Sequence, residues 1–248
     1  AAARAHGAHG WRASRGGDPH AEIRAESIEL DATRTRARIE TPLGPLALVS
    51  PLLGPFNLDN QLVAIGMALA LGIPGAAITE ALAHSHGAPG RLEPVRVHGV
   101  AGPQVLVDYA HTPDAVERTL AMLRPLARAR LVVVLGCGGD RDPSKRPLMG
   151  AIAARDADRF YATSDNPRTE PPEQIVDAML AGVAAAHRDR VVREIDRAQA
   201  IARAIAEAEE HDIVLVAGKG HEDYQVLGEH KVHFDDREHA RAALQRRA

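Results

Sequence analysis

Cysteine is almost absent from this chain of 248 residues, which contains Cys137 and no other. A single cysteine excludes an intramolecular disulfide and a cysteine-based zinc site. The composition is typical of a reducing compartment, and the segment Ala1–His6 does not lead into an apolar signal sequence. We therefore expect a cytoplasmic protein.

An excess of either charge is also absent. Lysine and arginine together number 30 against 33 aspartates and glutamates, which gives a net charge of −3. This balance gives no reason to expect a nucleic acid or a membrane surface as a partner. The longest weakly polar run without a charge, Leu62–Ile78, is interrupted by Gly72-Ile-Pro74-Gly75, so it predicts core helices rather than a membrane span.

Three common cofactor and metal motifs are missing. Gly136-Cys-Gly-Gly begins like a dinucleotide fingerprint, but Arg141 occupies the third glycine position, which argues against a hydride-transfer site. Lys219 lies between two glycines, yet His221 follows Gly220, and no Walker phosphate loop occurs in the chain. The 13 histidines include no His-Glu-x-x-His pair, and we expect no metal site.

From residue 89 onward, apolar strands alternate with helical patterns. This alternation predicts an α/β fold with a doubly wound, mainly parallel, Rossmann-like sheet that helices cover on both faces. The predicted strands are Val105–Val107, Leu131–Leu135, Phe160–Ala162, Val191–Val192, Ile213–Ala217 and, as a sixth candidate, Lys231–Phe234. The predicted helices cover 113–127, 146–157, 172–186, 197–210 and 236–247.

The first third of the chain has a different pattern. Short strands over 22–30, 36–40 and 46–49 precede a helix that begins at Asn57 and a second one from Pro74 to about His84. A Gly- and Pro-containing linker, 85–90, follows. We therefore predict two domains, 1–88 and 89–248.

Charged residues and glycines follow four strands of the second domain. Ligands of open parallel sheets bind outside the carboxyl ends of the strands, so these segments predict one shared site. The segments are 108–114, 136–142 followed by Lys145-Arg146-Pro147, 165–168 and 218–222.

Local structural roles remain open for some of these residues. Thr112 before Pro113 is typical of a helix N-cap, and Gly136-Cys-Gly-Gly is compatible with a plain turn. Asn57 and Asn60 are compatible with a helix cap.

Six strings in the chain resemble, in the same order, the motifs of the Mur ligase family. They are Phe56-Asn57-Leu-Asp-Asn60, Gly90-Arg91-Leu-Glu93, Asp108-Tyr-Ala-His-Thr-Pro-Asp114, Gly136-Cys-Gly-Gly-Asp-Arg-Asp142, Asp165-Asn-Pro-Arg168 and Gly218-Lys-Gly-His-Glu222. Within the family they are most similar to members that add meso-diaminopimelate to UDP-N-acetylmuramoyl-L-alanyl-D-glutamate.

The resemblance implies an ATP-dependent amide ligase of peptidoglycan precursor synthesis. It implies that residues 1–88 are the tail of a central ATPase domain and that residues 89–248 are the C-terminal domain. ATP is then a substrate, Mg²⁺ is bound mainly by parts of the central domain that these residues lack, and the enzyme is a monomer. Because the phosphate loop is missing, the chain is expected to be a fragment that is inactive alone.

The resemblance also implies roles for individual residues, although it assigns no catalytic residue. Asn57 and Asn60 face the adenine, and Arg91 and Asp108 reach the nucleotide. The residues implied to bind diaminopimelate are Arg141, Asp165, Asn166, Pro167, Arg168, Gly218 and Glu222. Diaminopimelate carries two carboxylates and two ammonium groups, which arginine forks and carboxylates match in charge.

Two other functions stay open at this point. One is a related ligase that adds lysine, although lysine has no distal carboxylate for Arg168 to hold. The other is a non-catalytic module that binds an amino acid or nucleotide. Arg168 also has a plain structural alternative, in which it only holds its own loop through Glu170.

Overall fold

The structure, a computed structural model, describes residues 10–247. Residues 1–9, which include the segment expected to lack a signal sequence, lie outside the described residues. The chain forms two compact units, and the boundary between them lies between Gly87 and Ala88. None of the described helices combines the length and the apolar character needed to cross a membrane.

The first unit is a four-stranded sheet with two helices. Its elements are β1 Ala13–Ser14, β2 Ile23–Leu30, β3 Thr35–Glu40, β4 Leu46–Ser50, α1 Pro55–Ala70 and α2 Gly75–Ala83. The strands lie in the order β1-β2-β3-β4, with β1 parallel to β2 and the other pairs antiparallel. Alternate strand residues such as Ile23 and Ile39 pack with Leu58 and Leu62 of α1 in one core.

Helix α1 begins two residues before the predicted Asn57. Gly54 is the N-cap with a positive φ of 88°, and Pro55 occupies the first helical position. Proline is suited to this position because its φ is preset and its missing N–H is not needed there. Asn57 and Asn60 therefore lie inside the helix, and the alternative in which they cap it is wrong. The Asn57 amide instead donates to the carbonyl of Leu53 over 2.7 Å.

The second unit contains a six-stranded sheet. Its strands are β5 Glu93–Val95, β6 Gln104–Asp108, β7 Leu131–Cys137, β8 Arg159–Ser164, β9 Val191–Arg193 and β10 Ile213–Ala217. Its helices are α3 Pro113–Leu123, α4 Lys145–Asp156, α5 Pro172–Leu180, α6 Arg197–Glu207 and α7 Asp236–Gln245. The strand order is β5-β6-β10-β7-β8-β9, and only the β5–β6 pair of this sheet is antiparallel. The predicted mainly parallel sheet is confirmed.

Helices cover both faces of this sheet. Val132 and Val134 of β7 pack with Ile201 and Ile205 of α6 in a core that also includes α7. Since successive strand residues point to opposite faces, the equally buried Val133 faces the other side, where α4 and α5 contact β7 and β8. The doubly wound arrangement is therefore confirmed.

The strand predicted over Lys231–Phe234 does not belong to this sheet. The strand β12, His230–His233, pairs with β11, Tyr224–Leu227, in a separate antiparallel hairpin. The turn between them is only two residues long, a length that closes a hairpin, and all of β12 is exposed. The sixth strand of the sheet is β5, whose three residues are too few to give a sequence pattern.

The topology brings four strand ends together. Strand β10 lies between β6 and β7, and β8 is the next neighbour of β7. These four strands are parallel, so their carboxyl ends lie side by side at one edge. Ligand sites of doubly wound sheets lie at such edges.

Candidate amino-acid site

A cavity of about 400 Å³ lies at this carboxyl edge, within the second unit. Segments that follow β6, β7, β8 and β10 all contribute to its wall. The lining residues are Tyr109, His111, Thr112, Gly136, Cys137, Gly138, Arg141, Asp142, Lys145, Arg146, Met149, Asp165, Asn166, Arg168, Gly218 and Glu222.

The cavity brings together most of the residues expected to hold an amino acid. Six of the seven line it: Arg141, Asp165, Asn166, Arg168, Gly218 and Glu222. Pro167 is buried in the same loop but is not part of the wall. Arg141 is exposed, and its side chain forms a long hydrogen bond, 3.4 Å, to the carbonyl of Asp140.

Arg168 is held by its own backbone and by one nitrogen of its side chain. Its φ is +52°, and its N–H donates to the carbonyl of Val226 over 3.0 Å. Its Nη1 donates to the carbonyl of Gly139 over 2.6 Å and, at 3.4 Å, to that of Asn166. Within residues 10–247, Nε and Nη2 have no hydrogen-bond partner, so one edge of the guanidinium is free for a ligand.

The alternative in which Arg168 pairs with Glu170 is wrong. Glu170 instead forms a two-fold ion pair with Arg146, with distances of 2.7 and 2.8 Å. This contact lowers the pKa of Glu170 and raises that of the nearly buried Arg146 guanidinium. Asp140 adds a second link, since its carboxylate accepts from the N–H and hydroxyl of Thr169. The loops that follow β7 and β8 therefore hold each other in place.

Lys219 is a site residue to which sequence patterns assign no role. Its side chain is completely buried, and its Nζ donates to Oδ1 of Asn166 over 3.2 Å. The same Nζ lies 3.7 Å from Asp165 and 3.5 Å from Glu222. The only signal in the sequence is a lysine two residues after the end of a fully apolar strand, a position that a covered parallel sheet buries.

Asn166 lies at the centre of this cluster. Its amide nitrogen donates to Oε2 of Glu222 over 2.9 Å. Its side-chain oxygen accepts from Lys219 and, over 3.0 Å, from the N–H of Val226. Asn166 is 4% exposed and uses both side-chain polar atoms within the protein, so its main role is to orient Glu222 and the hairpin.

Glycines allow the loops to approach closely. Gly218 has a φ of +116°, and a Cβ there would lie 2.8 Å from Oδ2 of Asp165. Gly90 has a φ of +66°, and a Cβ there would lie 2.1 Å from the backbone of Gly220 and of His221. A side chain at Gly90 would therefore displace the loop that carries Glu222.

The residues expected to reach a nucleotide lie in both units. Asn57 and the exposed Asn60 belong to α1 in the first unit. In the second unit, the Asp108 carboxylate accepts from the N–H groups of Leu92 and Ala110, each over 2.9 Å. Burial raises the pKa of Asp108 despite these hydrogen bonds and the nearby charge of Arg91.

An aromatic and cationic cluster adjoins Asp108. The guanidinium of Arg91 lies 4.9 Å from the centre of the Tyr109 ring. The rings of His111 and His221 lie 4.4 and 5.1 Å from the same ring. Thr112 caps α3 as predicted, since its hydroxyl accepts from the N–H of Ala115 over 3.3 Å.

Neither a nucleophilic thiol nor a metal cluster accompanies the cavity. Burial raises the pKa of Cys137 to about 12, so its thiol is protonated at neutral pH, and its sulfur lies 3.6 Å from that of Met149. In the part of the chain that the structure describes, no group of three or more His, Cys, Asp or Glu residues could hold a metal ion.

The charges in the cavity suit a ligand with both an anionic and a cationic group. Arg141 and the free edge of Arg168 offer donors to a carboxylate. Asp165 and Glu222 each use one oxygen near Lys219, and their other oxygens, Oδ2 and Oε1, have no protein hydrogen-bond partner among the described residues. Such an arrangement of fixed donors and acceptors is the chemistry of an amino-acid site. The fold and cavity thus define an α/β domain with a charged cavity at the carboxyl edge of its sheet.

Comparison with known proteins assigns this domain to a family. The family described as Mur ligase, glutamate ligase domain, matches residues 90–220. The chain belongs to the Mur ligase family.

Individual relatives agree with this assignment. The UDP-N-acetylmuramoyl-L-alanyl-D-glutamate–2,6-diaminopimelate ligase of Parasynechococcus marenigrum is 55% identical over 96% of this chain. The ligase of the same name from Thermosynechococcus vestitus is 52% identical over 92%. These matches cover 47% and 45% of the two relatives, so the chain spans about half the length of the curated relatives it matches.

Solved structures show the same fold. A structure of UDP-N-acetylmuramoyl-L-alanyl-D-glutamate–2,6-diaminopimelate ligase matches 94% of this chain and 47% of its own, with a TM-score of 0.74 and 36% identity. A folylpolyglutamate synthase from Thermotoga maritima matches 79% of this chain and 44% of its own, with a TM-score of 0.63 and 22% identity. The second likeness concerns the fold alone.

Proposed function

We propose that this chain is the C-terminal half of an ATP-dependent ligase that adds meso-diaminopimelate to UDP-N-acetylmuramoyl-L-alanyl-D-glutamate. The observation that carries the proposal is the cavity, in which free guanidinium nitrogens of Arg168 lie in the same wall as the carboxylates of Asp165 and Glu222. The names of the similar ligases support it. The domain roles proposed are a central-domain tail for residues 1–88 and an amino-acid-binding domain for residues 89–248.

Diaminopimelate has two amino-acid centres, and in this proposal the cavity binds the centre that does not react. Arg168, with Arg141 beside it, receives the carboxylate of that centre. Glu222 and Asp165 receive its ammonium group. Anchoring the far centre positions the other amine for reaction, which is how binding contributes to catalysis in such a ligase.

The chemistry proposed for the whole enzyme is amide formation through an acyl phosphate. The γ-phosphate of ATP is transferred to a carboxylate of the D-glutamyl residue, the diaminopimelate amine attacks the acyl carbon, and phosphate leaves. Asn57, Asn60, Arg91 and Asp108 are proposed to contact the nucleotide. Mg²⁺ accompanies ATP in this proposal and is assigned mainly to residues outside this chain, so we route no step through it.

The cellular setting is part of the same proposal. A ligase of a peptidoglycan precursor that carries a UDP-sugar works where ATP and the nucleotide precursor are available, so we propose a cytoplasmic enzyme that is a monomer. Sedimentation velocity of the chain would test the oligomeric state. A stable dimer at micromolar concentration would contradict that part of the proposal.

Calorimetric titration of the 248-residue chain tests the amino-acid site directly. We expect meso-diaminopimelate to bind at least about 30 times more tightly than L-lysine, because the one amino-acid centre of lysine occupies the reacting end in this proposal and its other end has no carboxylate for Arg168. Equal affinities would favour a lysine-adding relative or an unselective module, and an absence of diaminopimelate binding would overturn the proposal. We expect no ATP-dependent ligation from this chain by itself, since its sequence contains no phosphate loop.

A further inference from the structure

We propose that Lys219 is the positioning residue that selects the ammonium group of the bound amino acid, an inference that rests on the proposed function. Lys219 is completely buried and does not line the cavity, so it does not touch the ligand. It acts through three residues that do line the cavity, Asp165, Asn166 and Glu222.

The first step of the argument concerns charge. Asp165 and Glu222 carry two negative charges at one end of the cavity, and Lys219 supplies one positive charge 3.7 and 3.5 Å from them. The cluster therefore has a net charge of −1, which is the complement of a single ammonium group. Without Lys219, two carboxylates would face each other in a partly buried site, and like charges in such a site disfavour each other's ionisation.

The second step concerns orientation. Lys219 approaches Oδ1 of Asp165 and Oε2 of Glu222, which leaves the second oxygen of each carboxylate unoccupied by protein. Asn166 completes the arrangement, because it donates to Oε2 of Glu222 and accepts from Lys219. A single buried ammonium group thus fixes which oxygen atoms remain for the ligand.

The third step concerns the cost of placing a lysine here. Burying a charge is unfavourable unless it is paired and hydrogen-bonded. Burying a lysine here therefore costs more free energy than burying an apolar side chain of similar length, which would fill the same space. The three polar contacts, all of which go to cavity residues, indicate that the lysine serves the site.

The experiment compares three ligands in calorimetric titrations of the 248-residue chain. Meso-diaminopimelate has both ammonium groups, pimelate keeps both carboxylates but has no ammonium group, and L-lysine lacks one carboxylate. The variants are Lys219→Met, which keeps the length and removes the charge, and Lys219→Arg. The matched control is Lys231→Met, because Lys231 is an exposed lysine that packs on the same Tyr224 ring as Lys219 but lies outside the cavity.

We expect Lys219→Met to weaken diaminopimelate binding about 10- to 100-fold, which is the value of one well-oriented charged hydrogen bond. Binding of pimelate should change by less than about threefold, so the preference for diaminopimelate collapses. Lys219→Arg should restore part of the preference, and Lys231→Met should leave it unchanged. A parallel loss for both ligands would indicate a purely structural lysine and would overturn the proposal.

A second measurement does not depend on the ligand. The side-chain amide of Asn166 is held by Glu222 and Lys219, so its NMR signal in the free chain should be resolved and slow to exchange. In Lys219→Met the exchange should become at least about tenfold faster, while Lys231→Met should match the wild type. An unchanged signal in Lys219→Met would overturn the positioning role. If the wild-type chain bound no diaminopimelate, the proposed function would fail, and this signal would still decide the role of Lys219.

Discussion

Replacing Arg168 with alanine should abolish the preference for diaminopimelate over lysine. In the structure Nη1 of Arg168 is occupied by the carbonyl of Gly139, so the edge formed by Nε and Nη2 is the part free to receive a carboxylate. That edge forms two charge-assisted hydrogen bonds with a carboxylate. Alanine removes both, whereas lysine, whose only carboxylate lies at the reacting end, does not form them at its far end.

The magnitude follows from this count. A hydrogen bond to a charged group contributes about 1.5–3 kcal/mol, and the partial exposure of Arg168 favours the lower part of that range. Two such bonds, at about 1.5–2 kcal/mol each, give about 3–4 kcal/mol, which corresponds to roughly 140- to 700-fold in affinity. Arg168→Lys should recover only part of this, because an ammonium group lacks the planar fork.

Arg168→Ala also removes the hydrogen bond to Gly139, so the assay must separate this structural effect from the loss of the contact with the ligand. Arg168 also restrains the loop after β7, so alanine should weaken both ligands slightly through that loop. The ratio of the two dissociation constants, measured by calorimetry, cancels this shared effect. Alanine is preferable to glycine here, because glycine would also relax the positive φ of the position.

The control is Arg128→Ala, since Arg128 is exposed and precedes β7 at the opposite edge of the sheet. The ratio of the two dissociation constants in Arg128→Ala should equal the ratio in the wild type. If Arg168→Ala weakened diaminopimelate and lysine by the same factor, Arg168 would be a loop brace only, and the assignment of its free edge to a ligand carboxylate would be refuted.

Two further substitutions test other parts of the second unit. Asp108→Asn should lower the free energy of unfolding by about 1–3 kcal/mol, because the NH₂ group of the new asparagine would face a backbone N–H that now donates to the carboxylate. The dissociation constant of diaminopimelate should change by less than about threefold. Since burial raises the pKa of Asp108, this carboxyl group contributes most to stability below its ordinary pKa. The difference in free energy of unfolding between the wild type and Asp108→Asn, measured by chemical denaturation, should therefore become smaller as the pH rises above about 4. Weaker ligand binding at unchanged stability would contradict a structural role for Asp108. Gly90→Ala should weaken the binding of diaminopimelate at least about tenfold, because the new Cβ collides with the backbone of Gly220. Gly99 has a similar positive φ but open space around it, so Gly99→Ala should leave the binding of diaminopimelate unchanged. Equal effects of the two glycine variants in the titration would show that backbone strain, rather than the collision, is responsible.

The sheet was predictable because its strands are buried on both faces. Ile213–Ala217 is an uninterrupted apolar run, and its predicted and observed bounds agree. Strand β8 is longer than predicted, since Thr163 and Ser164 continue the pairing with β7 although they are polar. Both side chains are buried, so the register of the neighbouring strand, rather than hydrophobicity, determines where β8 ends.

The edge of the sheet that carries the site was also predictable, but its internal contacts were not. Parallel strands bring their carboxyl ends together whatever the side chains are, so the segments after β6, β7, β8 and β10 meet. Which residue pairs with which depends on tertiary distances. On charge alone Glu170 could pair with either Arg146 or Arg168, and only the fold shows that it binds Arg146.

The buried ion pair between Arg197 and Asp236 shows how far such contacts extend from the site. Both residues begin helices, α6 and α7, where charged residues are usually solvated, yet both side chains are fully buried. Arg197 donates to Asp236 and to the carbonyls of Ser164 and Ala217, the last residues of β8 and β10.

The position of this pair explains why a charge is tolerated there. The two carbonyls immediately precede Asp165 and Gly218, so the guanidinium links the ends of β8 and β10, the two strands that flank β7, where the cavity begins. Removing one partner of a buried pair costs about 3–5 kcal/mol, because the other charge is left uncompensated. Hydrophobic residues could fill the same volume, but they could not donate to the carbonyls of Ser164 and Ala217. The spacing of the cavity walls therefore depends on a residue that no motif contains and that becomes visible only when α6 and α7 are packed on the sheet.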